Sequence, residues 1–81
     1  TVLGGDGDDL IDDTISGVVS GANLIDAGSG NDTVWAGDSN DTIFGGSGSD
    51  SLNGEAGNDQ IFGDDGNDLM TGGTGEDSLY G

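Results

Sequence analysis

From residue 27 to residue 80 the chain divides without remainder into six nine-residue segments, AGSGNDTVW, AGDSNDTIF, GGSGSDSLN, GEAGNDQIF, GDDGNDLMT and GGTGEDSLY. Upstream, residues 4–12 (GGDGDDLID) keep the same register, and residues 18–26 (VVSGANLID) are a degenerate copy with Asn23 at its sixth position. Residues 13–17 are an insertion between these two copies. The sixth position of the repeat carries Asp9, Asp32, Asp41, Asp50, Asp59, Asp68 and Asp77, and the eighth carries Ile11, Ile25, Val34, Ile43, Leu52, Ile61, Met70 and Leu79. Tandem units this short cannot bury an apolar face alone, so they must stack on one another as a solenoid.

Each unit also dictates its own local shape. A single large apolar residue flanked by polar or outward-facing ones fits a three-residue strand with one inward side chain. Glycine at the first, second and fourth positions supplies the positive φ of a tight turn. Turn plus strand, repeated, leaves a thin core of one aliphatic residue per unit.

The charge balance is extreme: 17 acidic residues, no Lys, no Arg and no His. Seventeen carboxylates forced together repel one another, so the compensating positive charge must come from solution. Low hydrophobicity with high net charge otherwise favours disorder. With no Cys and no His, only oxygen ligands remain, and these suit the hard cations Ca²⁺ and Mg²⁺ rather than zinc, copper or iron. Nucleic acid is excluded as a partner because no basic residue meets its phosphates, and an anionic membrane surface is repelled. No apolar run is long enough for membrane insertion. The residues offer no catalytic apparatus either: there is no base titrating near neutrality, no thiol, and no His beside any Ser or Thr. The expectation is a non-enzyme, and a fragment of a longer protein.

The pattern GGxGxDxUx, with U a large aliphatic residue, resembles the repeats-in-toxin (RTX) family of secreted bacterial proteins, and it is a recognised Ca²⁺-binding nonapeptide. The resemblance implies an all-β fold, a right-handed parallel β-roll in which two repeats make one coil and residues 18 apart stack about 4.8 Å apart. One sheet then turns Ile25, Ile43, Ile61 and Leu79 inward, against Ile11, Val34, Leu52 and Met70 of the other.

It also implies where Ca²⁺ binds. Carried over, the carboxylates pair between stacked turns as Asp32 with Asp50, Asp50 with Asp68, Asp41 with Asp59, and Asp59 with Asp77, which makes four cages. Backbone carbonyls complete each shell. The first and third positions of one turn supply Ala27 and Ser29, Ala36 and Asp38, Gly45 and Ser47, or Gly54 and Ala56. The second and fourth positions one coil on supply Gly46 and Gly48, Glu55 and Gly57, Asp64 and Gly66, or Gly73 and Gly75. Two further cages would bring the total to about six: Asn23 with Asp41 lacks one charge, and Asp9 with Asp32 spans the insertion. Ser39 replaces glycine at a fourth position, so its turn is either strained or contributes a hydroxyl. The remaining acids, Asp6, Asp8, Asp12, Asp13, Asp26, Asp38, Asp64, Asp65 and Glu76, read as solvated surface.

Within the family such repeats accompany type I secretion, so the resemblance implies a secreted or cell-surface location and Ca²⁺-driven folding that supports a larger parent chain. Two other readings fit the same residues. One is a rigid structural or adhesive rod of a cell-surface protein, and the other an accessory substrate-binding module of a polysaccharide-acting enzyme. Without Lys or Arg, direct binding of an acidic polysaccharide would need bridging Ca²⁺. All four aromatic residues fall at the ninth position, and Phe44, Phe62 and Tyr80 are 18 apart, with Trp35 on the other sheet. That outward ladder either stabilises its sheet by stacking or forms a contact face for the parent chain, another copy or a sugar ring.

Overall fold

Nine short strands alternate between two parallel sheets in the computed structural model, which describes residues 2–12 and 24–81. They are β1 (Val2–Leu3), β2 (Leu10–Asp12), β3 (Leu24–Asp26), β4 (Thr33–Trp35), β5 (Thr42–Phe44), β6 (Ser51–Asn53), β7 (Gln60–Phe62), β8 (Leu69–Thr71) and β9 (Ser78–Tyr80). One sheet has the order β1-β3-β5-β7-β9 and the other β2-β4-β6-β8, so every connection crosses from one sheet to the other. This is the two-sheet parallel β-roll that the family resemblance implies.

The register follows the repeat. Ile25 pairs with Ile43, Ile43 with Ile61 and Ile61 with Leu79, while Val34 pairs with Leu52 and Leu52 with Met70. Each step is two repeats. Across the insertion the step lengthens to 23 residues, with Val2 opposite Ile25 and Ile11 opposite Val34. The extra residues therefore fall within the connection between β2 and β3, and pairing on either side of it is kept. The insertion itself, and Asn23 with its proposed pairing to Asp41, lie outside the described residues.

Ile25, Val34, Ile43, Leu52 and Ile61 are at most 1% exposed, and the first-position methyls Ala27 and Ala36 join them. Ile11 and Met70 are only partly buried. Leu79 departs from the expected inward set: it is 46% exposed, because β9 is the outermost strand of its sheet and no further coil covers it here. A large-to-small change should discriminate these positions. Ile43→Ala is expected to cost about 2–5 kcal/mol and Leu79→Ala below about 1 kcal/mol in unfolding of the folded protein, since only the first leaves a cavity. Equal costs for the two would contradict the burial pattern.

The turns need glycine for two separate reasons. Second- and fourth-position residues such as Gly46 (φ 91°) take the positive φ expected of them. At the first position Gly45 does not, and the expectation of a left-handed conformation there is corrected. What Gly45 provides is space: a Cβ on it would stand 2.7 Å from Asp50 Oδ2. Among the described residues three hold positive φ without being glycine, namely Ser39 (89°), Glu55 (72°) and Asp64 (67°). Ser39 is thus strained, and all three occupy a region that disfavours side chains.

Phe44, Phe62 and Tyr80 stack as expected, with ring centroids 4.9 Å and 4.8 Å apart and planes within 10°. The two contacts use both faces of Phe62 and one face each of Phe44 and Tyr80.

Candidate metal centre

Because strands alternate between sheets, the turns form two stacks along opposite edges of the roll. Turns 4–9, 27–32, 45–50 and 63–68 lead from the first sheet to the second, and turns 36–41, 54–59 and 72–77 lead back. Sixth-position residues close each turn. Asp9, Asp32, Asp50 and Asp68 therefore line one edge, and Asp41, Asp59 and Asp77 the other.

Within each stack the carboxylates are held in the same way. The backbone N–H of Asp32 donates to Asp50 Oδ1 (2.8 Å), that of Asp50 to Asp68 Oδ1 (2.9 Å), that of Asp41 to Asp59 Oδ1 (2.8 Å), and that of Asp59 to Asp77 Oδ1 (2.9 Å). The N–H of Asp9 makes the same bond to Asp32 Oδ1 (2.8 Å), across 23 residues instead of 18. The pair is kept although residues 13–17 fall between its two members in sequence.

Asp32, Asp50, Asp59, Asp68 and Asp77 thus each spend one oxygen on a neighbour's backbone. The Oδ2 atoms of Asp9, Asp32, Asp50 and Asp59 are buried without any hydrogen-bond partner, and Asp32, Asp50 and Asp59 are at most 2% exposed as whole residues. Burial pushes the Asp50 carboxyl above the usual carboxylate range, the Asp32 N–H opposes the shift, and the charges of Asp32, Asp68 and Asp64 add to it. Asp59 is raised for the same leading reason, opposed by the Asp41 N–H and reinforced by Asp77. A buried carboxylate oxygen without a donor is costly unless a cation meets it.

Which cation these residues fit follows from the donor set. Among the described residues no three acidic side chains converge on one point, so most of any shell must come from backbone carbonyls and water. Ca²⁺ tolerates such a mixed, irregular shell of oxygens better than Mg²⁺ does. The backbone also reaches across the stack. The second-position carbonyls of Gly46 and Glu55 accept from the N–H groups of Asp65 (3.0 Å) and Thr74 (2.8 Å), and the third-position carbonyl of Ser47 accepts from Gly30 (2.9 Å). These three carbonyls are among the expected ligands, and each retains a second lone pair. At Asp50 and Asp68 the first-position Gly45 and Gly63 carry no side chain to crowd Oδ2, from which a Cβ would stand 2.7 Å and 2.5 Å, whereas Ala27 and Ala36 put a buried methyl at that position.

One feature of the turns has no counterpart in the sequence-based site. Asp8, read as free surface, accepts the Asn31 N–H at 2.8 Å, and Asn31, Asn40 and Asn58 make equivalent bonds to the coil that follows. Asp6 likewise accepts the Ser29 hydroxyl (2.8 Å). The signal was present as Asn at the fifth position of four repeats, but Asn is common in any turn and by itself marks no partner.

No curated protein and no solved structure matches this chain. A scan of protein families matches the RTX calcium-binding nonapeptide repeat (4 copies) over residues 19–52 and 44–79. These matches span most of the chain and the turns that carry Asp32 to Asp77, and with the parallel roll and its rows of stacked carboxylates they show that the chain belongs to the RTX calcium-binding nonapeptide repeat family.

Proposed function

We propose that this calcium-binding module folds as its turns fill with Ca²⁺ outside the cell, and so supports the folding, secretion and stability of a larger secreted protein. The observation that carries the reading is the buried Oδ2 atom, without a hydrogen-bond partner, of Asp9, Asp32, Asp50 and Asp59 at the sixth position of a chain without one cationic side chain. Four cages are assigned, between Asp32 and Asp50, Asp50 and Asp68, Asp41 and Asp59, and Asp59 and Asp77. Asp9 with Asp32 makes a fifth, supported by the same N–H to Oδ1 bond as the others. Extracellular modules of modest affinity operate at about 10⁻⁴–10⁻³ M Ca²⁺, well above the levels inside a cell. A site built on a few carboxylates and neutral carbonyls suits that range.

Counting ions tests the assignment. Native mass spectrometry or equilibrium dialysis in millimolar Ca²⁺ is expected to find about four or five ions per chain, with equimolar Mg²⁺ failing to displace them. A chain that retains no Ca²⁺, or binds Mg²⁺ equally well, would overturn the proposal.

A further inference from the structure

We propose that the fifth-position side chains Asp8, Asn31, Asn40 and Asn58 form a second ladder between coils, one that positions the turns and couples the filling of neighbouring calcium cages. The inference rests on the cage assignment above but on different atoms. At the fifth position the N–H of the later coil donates back to the side chain of the earlier one: Asn31 to Asp8 (2.8 Å), Ser49 to Asn31 (2.9 Å), Asn58 to Asn40 (2.8 Å) and Glu76 to Asn58 (2.8 Å). At the sixth position the bond runs the other way, from the earlier N–H to the later carboxylate. Adjacent residues therefore clamp two coils in opposite directions. Turns 36–41 and 54–59, for example, are joined by Asn58 N–H to Asn40 and by Asp41 N–H to Asp59 Oδ1.

This clamp fixes the peptide immediately before each proposed ligand. A turn ordered by one ion presents its fifth-position oxygen to the next turn and draws the next aspartate into place, so the second ion meets a site already partly formed. An amide suits the task because it accepts a hydrogen bond without adding to the crowd of carboxylates. The molecule contains its own comparison. Ser49 lacks an amide, and among the described residues no side-chain acceptor meets the N–H of Asn67 in the following turn, so of the two side-chain rungs turns 45–50 and 63–68 share only the sixth-position one, beside the backbone bond from Asp65 N–H to the Gly46 carbonyl. The fifth-position side chains Asn31, Ser49, Asn58 and Asn67 are all exposed, so changing them alters no core packing.

Calcium titrations of the whole chain, followed by both circular dichroism and ion count, test the coupling. Asn58→Ala is expected to broaden the transition and lower its Hill slope. Its midpoint should rise by less than about twofold, because one hydrogen bond is spread over several ions, and the ion count at saturation should not change. Asn58→Asp, which keeps the Oδ1 acceptor, should restore the slope. Asn67→Ala, the same change where no rung exists, should leave both slope and midpoint alone, and Ser49→Asn should add the missing rung and steepen the transition. The ladder is refuted if Asn58→Ala titrates with the slope of Asn67→Ala, or if Ser49→Asn changes nothing. Loss of ions from the unmutated chain would instead defeat the cage assignment, so the two failures are distinguishable.

Discussion

In excess chelator at neutral pH the chain is expected to give the far-ultraviolet circular dichroism of an unfolded polypeptide, and to convert cooperatively to a β signal as free Ca²⁺ reaches the millimolar range. Among the described residues seven buried apolar ones, two of them alanines, make a thin core for a chain carrying a formal charge of −17. Folding also withdraws Asp32, Asp41, Asp50 and Asp59 from water. Burial of a carboxylate without a cation costs several kcal/mol, and several such groups in two rows exceed what a thin core offsets. An ion that binds only the folded form supplies both the missing charge and the missing ligand partner, so its binding energy becomes folding energy. Mg²⁺ at the same concentration should fail, since it demands a stricter octahedron and gives up water reluctantly. A full β signal in chelator would mean that the core and backbone ladders suffice, and would remove the basis for Ca²⁺-dependent folding.

The period of the repeat made most of this architecture legible before any coordinates. Asp32 through Asp77 recur at a fixed interval, and so do Ile25 through Leu79, which sets strand and turn, while the coil of two repeats and with it the register came from the resemblance to the RTX family. What stayed hidden depends on neighbours in space. Leu79 carries the same pattern as Ile61, yet exposure is decided by the next coil and not by the residue. First-position glycine looked like a conformational requirement because composition does not separate positive φ from lack of room, and the proximity of Asp50 Oδ2 to Gly45 shows that room is the reason. The insertion cast doubt on Asp9, although the Asp9 N–H still reaches Asp32 Oδ1 across it, which spacing in sequence does not tell. The fifth-position ladder was masked by ordinary turn composition, in which Asn needs no special partner.

Replacing Asp50 by Asn should damage calcium-dependent folding far more than replacing Asp65 by Asn, although each removes a single negative charge. Asp50 is 2% exposed, takes the Asp32 N–H on Oδ1, and sends its own N–H to Asp68. In Asp50→Asn the side-chain oxygen can still accept the Asp32 N–H, so the turn keeps its shape. The second oxygen, buried and without a donor in the parent chain, becomes an NH₂ group that points hydrogens at the proposed ion. Because Asp50 is shared by the cages with Asp32 and with Asp68, two ions lose a ligand at once. Breaking one side of a buried charge pair costs about 3–5 kcal/mol. Spread over the roughly four ions of a cooperative transition, that moves the Ca²⁺ midpoint upward about three- to eightfold. Asp65 is exposed and off the ligand column, and it contributes to the stack through its backbone N–H to Gly46, which the substitution leaves intact. An exposed change of this kind is worth within about 0.5 kcal/mol, a midpoint shift below about 1.3-fold, and the relief of repulsion opposes even that. Titrating the two variants side by side separates geometry from bulk charge: equal shifts would show that only net charge matters, and the cages assigned to Asp50 would have to be abandoned.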